Sequence, residues 1–358
     1  MIEELTHHRV LVTGGAGFIG NAVVRALLGK PDGNVMNLDV LNYAAVPESL
    51  SAVASEARYG FKRVDLRDRA ELDLALDEFA PDAVIHLAAE THVDRSIDGP
   101  RSFVDTNVIG TFTLLEAVTS YWSRLPAAQR EKFRLVHVST DEVFGSLGPG
   151  EQPFDLRTPY SPNSPYSASK AASDHFVRAW HTTYGLPTLV TNCSNNFGPW
   201  QFPEKFIPVV VLRSAAREPV PIYGRGDQVR DWLFVDDHAE GLIVALCRGR
   251  PGATYLFGAR NEWSNLRLAE QICDLVDELL DEGRSSRREL LATVEDRPGH
   301  DARYAIDPES VERELGWSPK SAFLPALRRT VQWYLENRGW VEERLSRTGG
   351  YRRLGLGV

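Results

Sequence analysis

Tyr166 and Lys170 stand four residues apart, one turn of a helix, and so face the same way. A lysine cation beside a phenol stabilises the phenolate and can also bond a nicotinamide ribose, giving a base that takes a proton from a sugar hydroxyl near neutral pH. Thr140-Asp141-Glu142 adds two adjacent carboxyl groups after a β-rich run. Neighbouring carboxyls push their pKa values apart, so one stays protonated while the other is ionised. An acid next to a base suits an elimination, in which one group removes a carbon-bound proton and the other protonates a departing hydroxyl. Plainer readings exist. Tyr-x-x-x-Lys recurs by coincidence, and the acidic pair could be a solvated turn leading into Val143-Phe144-Gly145.

Gly14, Gly17 and Gly20 punctuate the segment that follows the first apolar run. Such spacing lets backbone turn tightly and approach a pyrophosphate, which the amides of the next helix then face; a bare glycine turn is the alternative. Asp39 comes about twenty residues later, where a carboxylate accepts both hydroxyls of an adenosine ribose. The next residue is Val40 rather than Arg, so nothing neutralises a 2′-phosphate and NAD is expected over NADP. Asp65 is placed to receive the adenine amino group and fits a helix N-cap equally well.

The elements that must carry these groups alternate. Strand-like runs cover Arg9 to Thr13, Val35 to Asp39, Phe61 to Asp65, Ala83 to Leu87, Arg134 to Ser139 and Thr188 to Asn192. Helical spacing covers Phe18 to Leu28, Leu72 to Phe79, Phe103 to Ala117 and Ala168 to Tyr184. Parallel strands need crossovers, so the rhythm predicts a Rossmann-type, doubly wound parallel α/β sheet. Beyond Cys193 prolines and glycines multiply, and a smaller lobe is expected. We expect residues 1–192 in the NAD-binding part, with 236–258 returning to it, 193–235 and 259–345 in an interleaved C-terminal substrate-binding lobe, and a tail at 346–358 in which Tyr351 could fold back.

The 358 residues carry a net charge of −9, which disfavours nucleic acid as a partner. Cys193, Cys247 and Cys273 are too scattered for a disulfide framework or a zinc site, so no metal is assigned and a reducing cytoplasm fits. Met1 to Thr6 lacks the pattern of a signal peptide, and runs such as Phe206 to Leu212 fall short of a membrane span. A soluble chain without a membrane partner is expected.

The sequence closely resembles the dTDP-glucose 4,6-dehydratases of the extended short-chain dehydrogenase/reductase superfamily. The resemblance rests on Thr13 to Gly20, Leu87 to Ser96, Ser139 to Val143, Tyr166 to Lys170, Cys193 to Pro199, Pro203-Glu204-Lys205, Arg230-Asp231-Trp232 and Asp296 to Asp301. It implies a bound NAD that serves as a recycled hydride carrier in converting dTDP-glucose to its 4-keto-6-deoxy product. Tyr166 would take the C4 hydroxyl proton while Thr140 holds that oxygen. Glu142 would then remove the C5 proton, and Asp141 would protonate the C6 hydroxyl as water leaves.

By the same resemblance the cofactor positions are Gly14, Gly17, Phe18, Ile19, Gly20, Asp39, Asp65, Leu66, Leu87, Ala88, Ala89, Thr106, Tyr166, Lys170 and Asn196. Those for the nucleotide sugar are Thr91, Thr140, Asn195, Lys205, Phe206, Pro221, Tyr223, Arg230, Asn265, Arg297 and His300. Arg230 and His300 suit a diphosphate, although Arg230 could instead pair with Asp227 or Asp231. A homodimer through the helices around Phe103 to Ala117 and Ala168 to Tyr184 is also implied. Phe144, Val40 and Ala45 depart from the family pattern, and Cys193 reads most simply as a small packed residue. Two other functions share much of this machinery: a nucleotide-sugar 4-epimerase using Tyr166 and Lys170, and a non-catalytic NAD-binding sensor. Asp141 and Glu142 distinguish the dehydratase from the first, and the full set of five groups from the second.

Overall fold

The computed structural model describes residues 7–348; Met1 to Thr6, Tyr351 and the rest of the tail from 349 lie outside the described residues. Twelve strands occur among them: β1 (Arg9–Thr13), β2 (Asn34–Asp39), β3 (Tyr59–Arg63), β4 (Ala83–His86), β5 (Arg134–Thr140), β6 (Thr188–Cys193), β7 (Asn195–Phe197), β8 (Val220–Tyr223), β9 (Val229–Phe234), β10 (Thr254–Phe257), β11 (Glu262–Ser264) and β12 (Leu291–Val294). Seven of them form one sheet in the order β10-β6-β5-β4-β1-β2-β3, with every pairing parallel.

Parallel strands buried on both faces read as continuous apolar runs. Val10, Leu11 and Val12 are completely buried, and side chains of this size each contribute about 1.5–3 kcal/mol on burial. Alternate side chains enter two separate cores. Val10 and Val12 pack with Val23, Leu27, Leu242 and Leu246 from the helices Phe18–Leu28 and Val235–Arg248. Leu11 packs on the other face with Leu72, Leu114, Val118 and Val177, from the helices Arg69–Phe79, Thr111–Ser123 and Pro165–Tyr184.

A third apolar core gathers Phe197, Val210, Trp232, Leu268 and Val331 around two smaller sheets, β11-β9-β7 and β12-β8. The chain enters this region after β6, returns through the helix 235–248 and β10, which pairs β6 from Thr254↔Val190 to Phe257↔Cys193, and leaves again.

Two expected elements differ. The third strand ends at Arg63 rather than Asp65, because the edge register pairs Val35 with Tyr59 and Asp39 with Arg63. Phe61 consequently sits 42% exposed at the sheet edge, while Val64 and Leu66 turn inward beyond it. The helix expected from Phe103 is a widened π-helical turn over Val104–Gly110 that tightens to an α-helix only at Thr111. Within that turn the buried Asn107 accepts from Glu90 N at 2.8 Å and donates to Glu90 O at 3.0 Å and Ser169 Oγ at 2.8 Å. Satisfying all three partners keeps its side chain in the interior.

Candidate active site

The carboxyl ends of β1, β2, β4, β5 and β6 converge on one cavity of about 800 Å³, as expected at the point where an open parallel sheet reverses its strand order. At Gly14 φ is +73°, and a Cβ there would lie 2.6 Å from the Ala88 backbone nitrogen. At Gly20 a Cβ would overlap the Gly14 carbonyl oxygen. The helix Phe18–Leu28 begins at Gly17 with no side-chain cap, so its first amides are free for an anion.

Asp39 accepts from Ala16 N at 3.0 Å and Leu41 N at 2.8 Å. Burial raises its pKa against those two amides. This cradle fits a dinucleotide whose pyrophosphate approaches bare backbone and whose ribose faces a carboxylate. Leu66, Leu87, Ala88, Ala89 and Thr106 line the same space. Asp65, the expected adenine acceptor, lines it too but is engaged by Arg67 at 2.5 Å. The N-cap after it is Asp68, which accepts from Glu71 N, and so the N-cap reading of Asp65 is not what the structure shows.

At the end of β5 the Thr140 carbonyl accepts from Asn192 Nδ2 at 3.0 Å, and its hydroxyl accepts from Glu142 N at 3.3 Å. A short 3₁₀ turn, Asp141–Phe144, then holds both carboxyl groups, with Asp141 buried and its Oδ2 without a hydrogen-bond partner among the described residues. Phe144 closes the turn against Phe154 and Tyr160 at ring distances of 5.2 and 5.1 Å, so the acidic pair opens a packed segment instead of a solvated turn.

The two carboxyls feel different surroundings. Burial, with Glu142 and Asp231 nearby, pushes Asp141 well above the usual carboxylate range. Burial also raises Glu142, but the cations of Arg297, Arg230 and Lys205 oppose it. Asp141 is therefore suited to hold a proton and Glu142 to lose one.

Tyr166 follows the Ser164 cap of its helix, where Ser164 and Ser167 satisfy each other's backbone amides. Burial, with Glu142 and Cys193 beside it, raises the phenol, while the Thr140 hydroxyl works the other way. Lys170 Nζ donates inward to the Val138 carbonyl at 2.9 Å, and burial pushes it down to about 8. The expected lysine and phenol share one cavity wall, with the ammonium anchored on backbone.

Thr91, Asn195 and Lys205 line the cavity, and Lys205 Nζ donates to the Thr91 carbonyl at 3.1 Å. Asn196 lines it while its Oδ1 meets His238 Nδ1 at 3.0 Å. Cys193 packs there as a buried thiol 3.5 Å from the Ser139 carbonyl. Phe206, Pro221, Tyr223, Arg230, Asn265, Arg297 and His300 do not belong to the cavity wall.

Arg230 pairs with neither Asp227, taken by Arg225, nor Asp231, which accepts from Ala259 N and Asn261 N. It donates instead to the Val229 carbonyl at 2.7 Å and the Asp301 carbonyl at 2.9 Å, with its guanidinium 4.1 Å from the Tyr304 ring centre. Arg297 meets Asp94 at 3.0 Å. His300 meets Asp296 at 2.6 Å and stacks edge-on to Tyr223; burial and then Arg297 push it down to about 4, leaving it neutral. Phe206 stacks on Trp232, Pro221 and Tyr223 lie on β8, and Asn265 opens the helix capped by Ser264. Sequence reasoning missed Asn42, Tyr43, Gln201, Phe202 and Glu204, all on the cavity wall. Only Glu204 had a signal, its place inside a quoted motif.

The sequence model of the family described as GDP-mannose 4,6 dehydratase matches residues 11–330. A dTDP-glucose 4,6-dehydratase of Neisseria meningitidis is 52% identical over 354 residues, 98% of this chain and 99% of that protein. The solved dTDP-glucose 4,6-dehydratase of Streptomyces venezuelae with NAD bound superposes with a TM-score of 0.86 at 43% identity, over 94% of this chain and 99% of that one. The UDP-glucose 4-epimerase of Thermus thermophilus in complex with NAD gives 0.80 at 30% identity, over 92% and 99%.

Proposed function

The chain belongs to the dTDP-glucose 4,6-dehydratase family, and on that premise we propose that it dehydrates dTDP-glucose to dTDP-4-keto-6-deoxyglucose with NAD as cofactor. NAD bound here would supply a two-electron hydride acceptor for C4 and the hydride donor for C6. Gly14, Gly17, Gly20 and Asp39 hold its adenosine and pyrophosphate side, and Tyr166, Lys170 and Asn196 its nicotinamide side. Tyr166 takes the C4 hydroxyl proton; the Thr140 hydroxyl opposes the rise that burial imposes on its phenol and so favours the phenolate this needs. A ketone at C4 acidifies the C5 hydrogen, which Glu142 removes as a proton and, once water has left and C6 has been reduced, replaces from solvent. Asp141, kept protonated by burial and by its neighbour, passes its proton to the C6 hydroxyl and water departs.

The observation that carries this reading is that Asp141, buried beside Glu142 and Asp231, and Glu142, facing the cations of Arg297, Arg230 and Lys205, line the cavity that also holds Tyr166 and Lys170. A 4-epimerase would use the same fold and the same tyrosine, but it needs no such acid and base pair. Tracing hydrogen separates the two. Substrate deuterated at C4 should give product labelled at C6, and unlabelled substrate in heavy water should gain deuterium at C5. Label that stays on C4 would establish epimerisation.

Three further assignments belong to the same proposal. Thr91, Asn195 and Lys205 on the cavity wall contact the sugar nucleotide together with Arg297, while Arg230 and His300 serve its diphosphate; the closeness of both arginines to Glu142 supports this. Residues 1–192 with 236–258 act as the NAD-binding part, and the interleaved remainder as the substrate-binding lobe. The chain works as a cytoplasmic homodimer. Ile109 and Tyr184, 47% and 55% exposed on the two helices expected at the interface, support the dimer, and three free cysteines support a reducing compartment. None of the described helices is long and apolar enough to cross a membrane.

A further inference from the structure

Behind the lysine lies a buried polar cluster that the reaction leaves unused. Asp174 follows Lys170 by one turn of the same helix and is completely buried. Its Oδ2 accepts from the Tyr160 hydroxyl at 2.8 Å, the Ser139 hydroxyl at 2.9 Å and Asn192 Nδ2 at 3.3 Å. Its Oδ1 stands 3.1 Å from Nε2 of His137, which is also completely buried. That same nitrogen is 3.5 Å from Lys170 Nζ. A single imidazole edge thus lies between carboxylate and ammonium.

An interior carboxylate is costly to retain, and neutral donors alone do not balance its charge. The groups facing Lys170 come from four elements: His86 on β4, His137 on β5, Cys193 on β6, and Tyr166 and Asp174 on its own helix. Burial pushes His86 well below its ordinary value and His137 to about 4, so both are neutral. Burial likewise raises the Cys193 thiol and the Tyr166 phenol. Burial would raise Asp174 as well, but His137, Lys170 and Tyr160 more than reverse it and leave it ionised. Arg178 reaches the cluster from beyond, donating to Tyr160 at 2.7 Å.

We propose that Asp174 is a positioning residue for the reaction: across the edge of neutral His137 it supplies, through space, the counter-charge that fixes the Lys170 ammonium. Asn192 extends its reach, because the amide that donates to Asp174 also donates to the Thr140 carbonyl at 3.0 Å. One carboxylate therefore registers both the lysine and the strand end bearing Thr140, Asp141 and Glu142. The proposal rests on the reading of Lys170 as catalytic. Burial lowers Lys170 to about 8, and Asp174 is the foremost influence opposing that fall.

The test is the pH dependence of kcat for the cofactor-loaded enzyme carrying Asp174→Asn. Loss of the charge should move the alkaline limb down by about one pH unit, so that turnover at the wild-type midpoint falls about five-fold further, with KM little changed. An unmoved limb in folded Asp174→Asn overturns the proposal. Asp174→Glu and Tyr160→Phe both keep a carboxylate, and their limbs should coincide with wild type even where kcat drops. A full-unit shift in either variant also overturns it, whether or not Asp174→Asn folds. Lys170→Met separates the two readings: undiminished turnover there would refute the catalytic lysine itself.

Discussion

Tyr43 donates its hydroxyl to Glu204 Oε1 at 3.1 Å, joining the loop after β2 to the segment after β7 across 161 positions of sequence. Arg95 binds the other Glu204 oxygen at 3.0 and 3.1 Å and lies 4.0 Å from the centre of the Tyr43 ring. Tyr43 and Glu204 both line the cavity proposed to hold NAD. Glu204→Gln should weaken this tie and release NAD about ten-fold faster, the effect of roughly 1.4 kcal/mol from one charge-assisted contact. Bound NAD per chain, counted after gel filtration and denaturation, checks this; an unchanged count would refute it.

Asp141→Asn should still oxidise C4 yet fail to expel the C6 hydroxyl, lowering dehydration by about 10²–10⁴-fold. Mass spectrometry of quenched mixtures should then find a ketosugar that has not lost water. Wild-type amounts of 4-keto-6-deoxy product would contradict the general-acid assignment.

The same substitution should stabilise the fold. A carboxyl whose folded pKa lies above its unfolded value binds more protons when folded, so stability falls as pH rises through the interval between the two. Asparagine removes that loss. The melting temperature of Asp141→Asn should exceed wild type by roughly 2 °C or more at pH 8 and converge with it near pH 4. A lower melting temperature at pH 8 would count against the buried acid.

Turnover should fall on both sides of neutrality. On the proposed role of Glu142 in removing the C5 hydrogen it must be ionised, so protonation of this raised carboxyl sets the acid limb. Lys170 must be charged, and its loss of a proton near about 8 sets the alkaline limb. Lys170→Arg, whose charge persists, should abolish the alkaline limb below pH 10 while keeping the acid one.

Ile109→Asp should yield monomer at micromolar concentration, because the residue sits half exposed on the helix expected at the dimer interface. Sedimentation velocity decides the matter; dimer in both proteins would move the interface elsewhere.

Much of this architecture was legible in the chain itself. Fully buried parallel strands announce themselves as unbroken apolar runs, which is why Arg9–Thr13 and the helix Phe18–Leu28 were found to the residue. Edges were harder. Phe61 is apolar yet exposed, so the third strand was placed two residues too late. The π-helical turn at Val104–Gly110 follows from the contacts of Asn107 with Glu90 and Ser169, which no local periodicity encodes. At the site, Thr140, Asp141, Glu142, Tyr166 and Lys170 stand out because chemistry requires their types at fixed spacing. Asp174, His137 and Tyr43 gain meaning only from partners distant in sequence.

The pairing of β10 with β6 also bears on how the protein can be made. A ribosome delivers β6 well before β10 and before the helix 235–248 that covers one face of the sheet. Until then the nascent sheet ends in a bare row of amides and carbonyls at β6, with apolar residues such as Leu189 uncovered. A gene fragment stopping at Cys193 would leave that row permanently open, inviting edge-to-edge aggregation. The seven-stranded sheet is therefore complete only when the chain beyond Cys193 has been synthesised far enough to bring its last strand home.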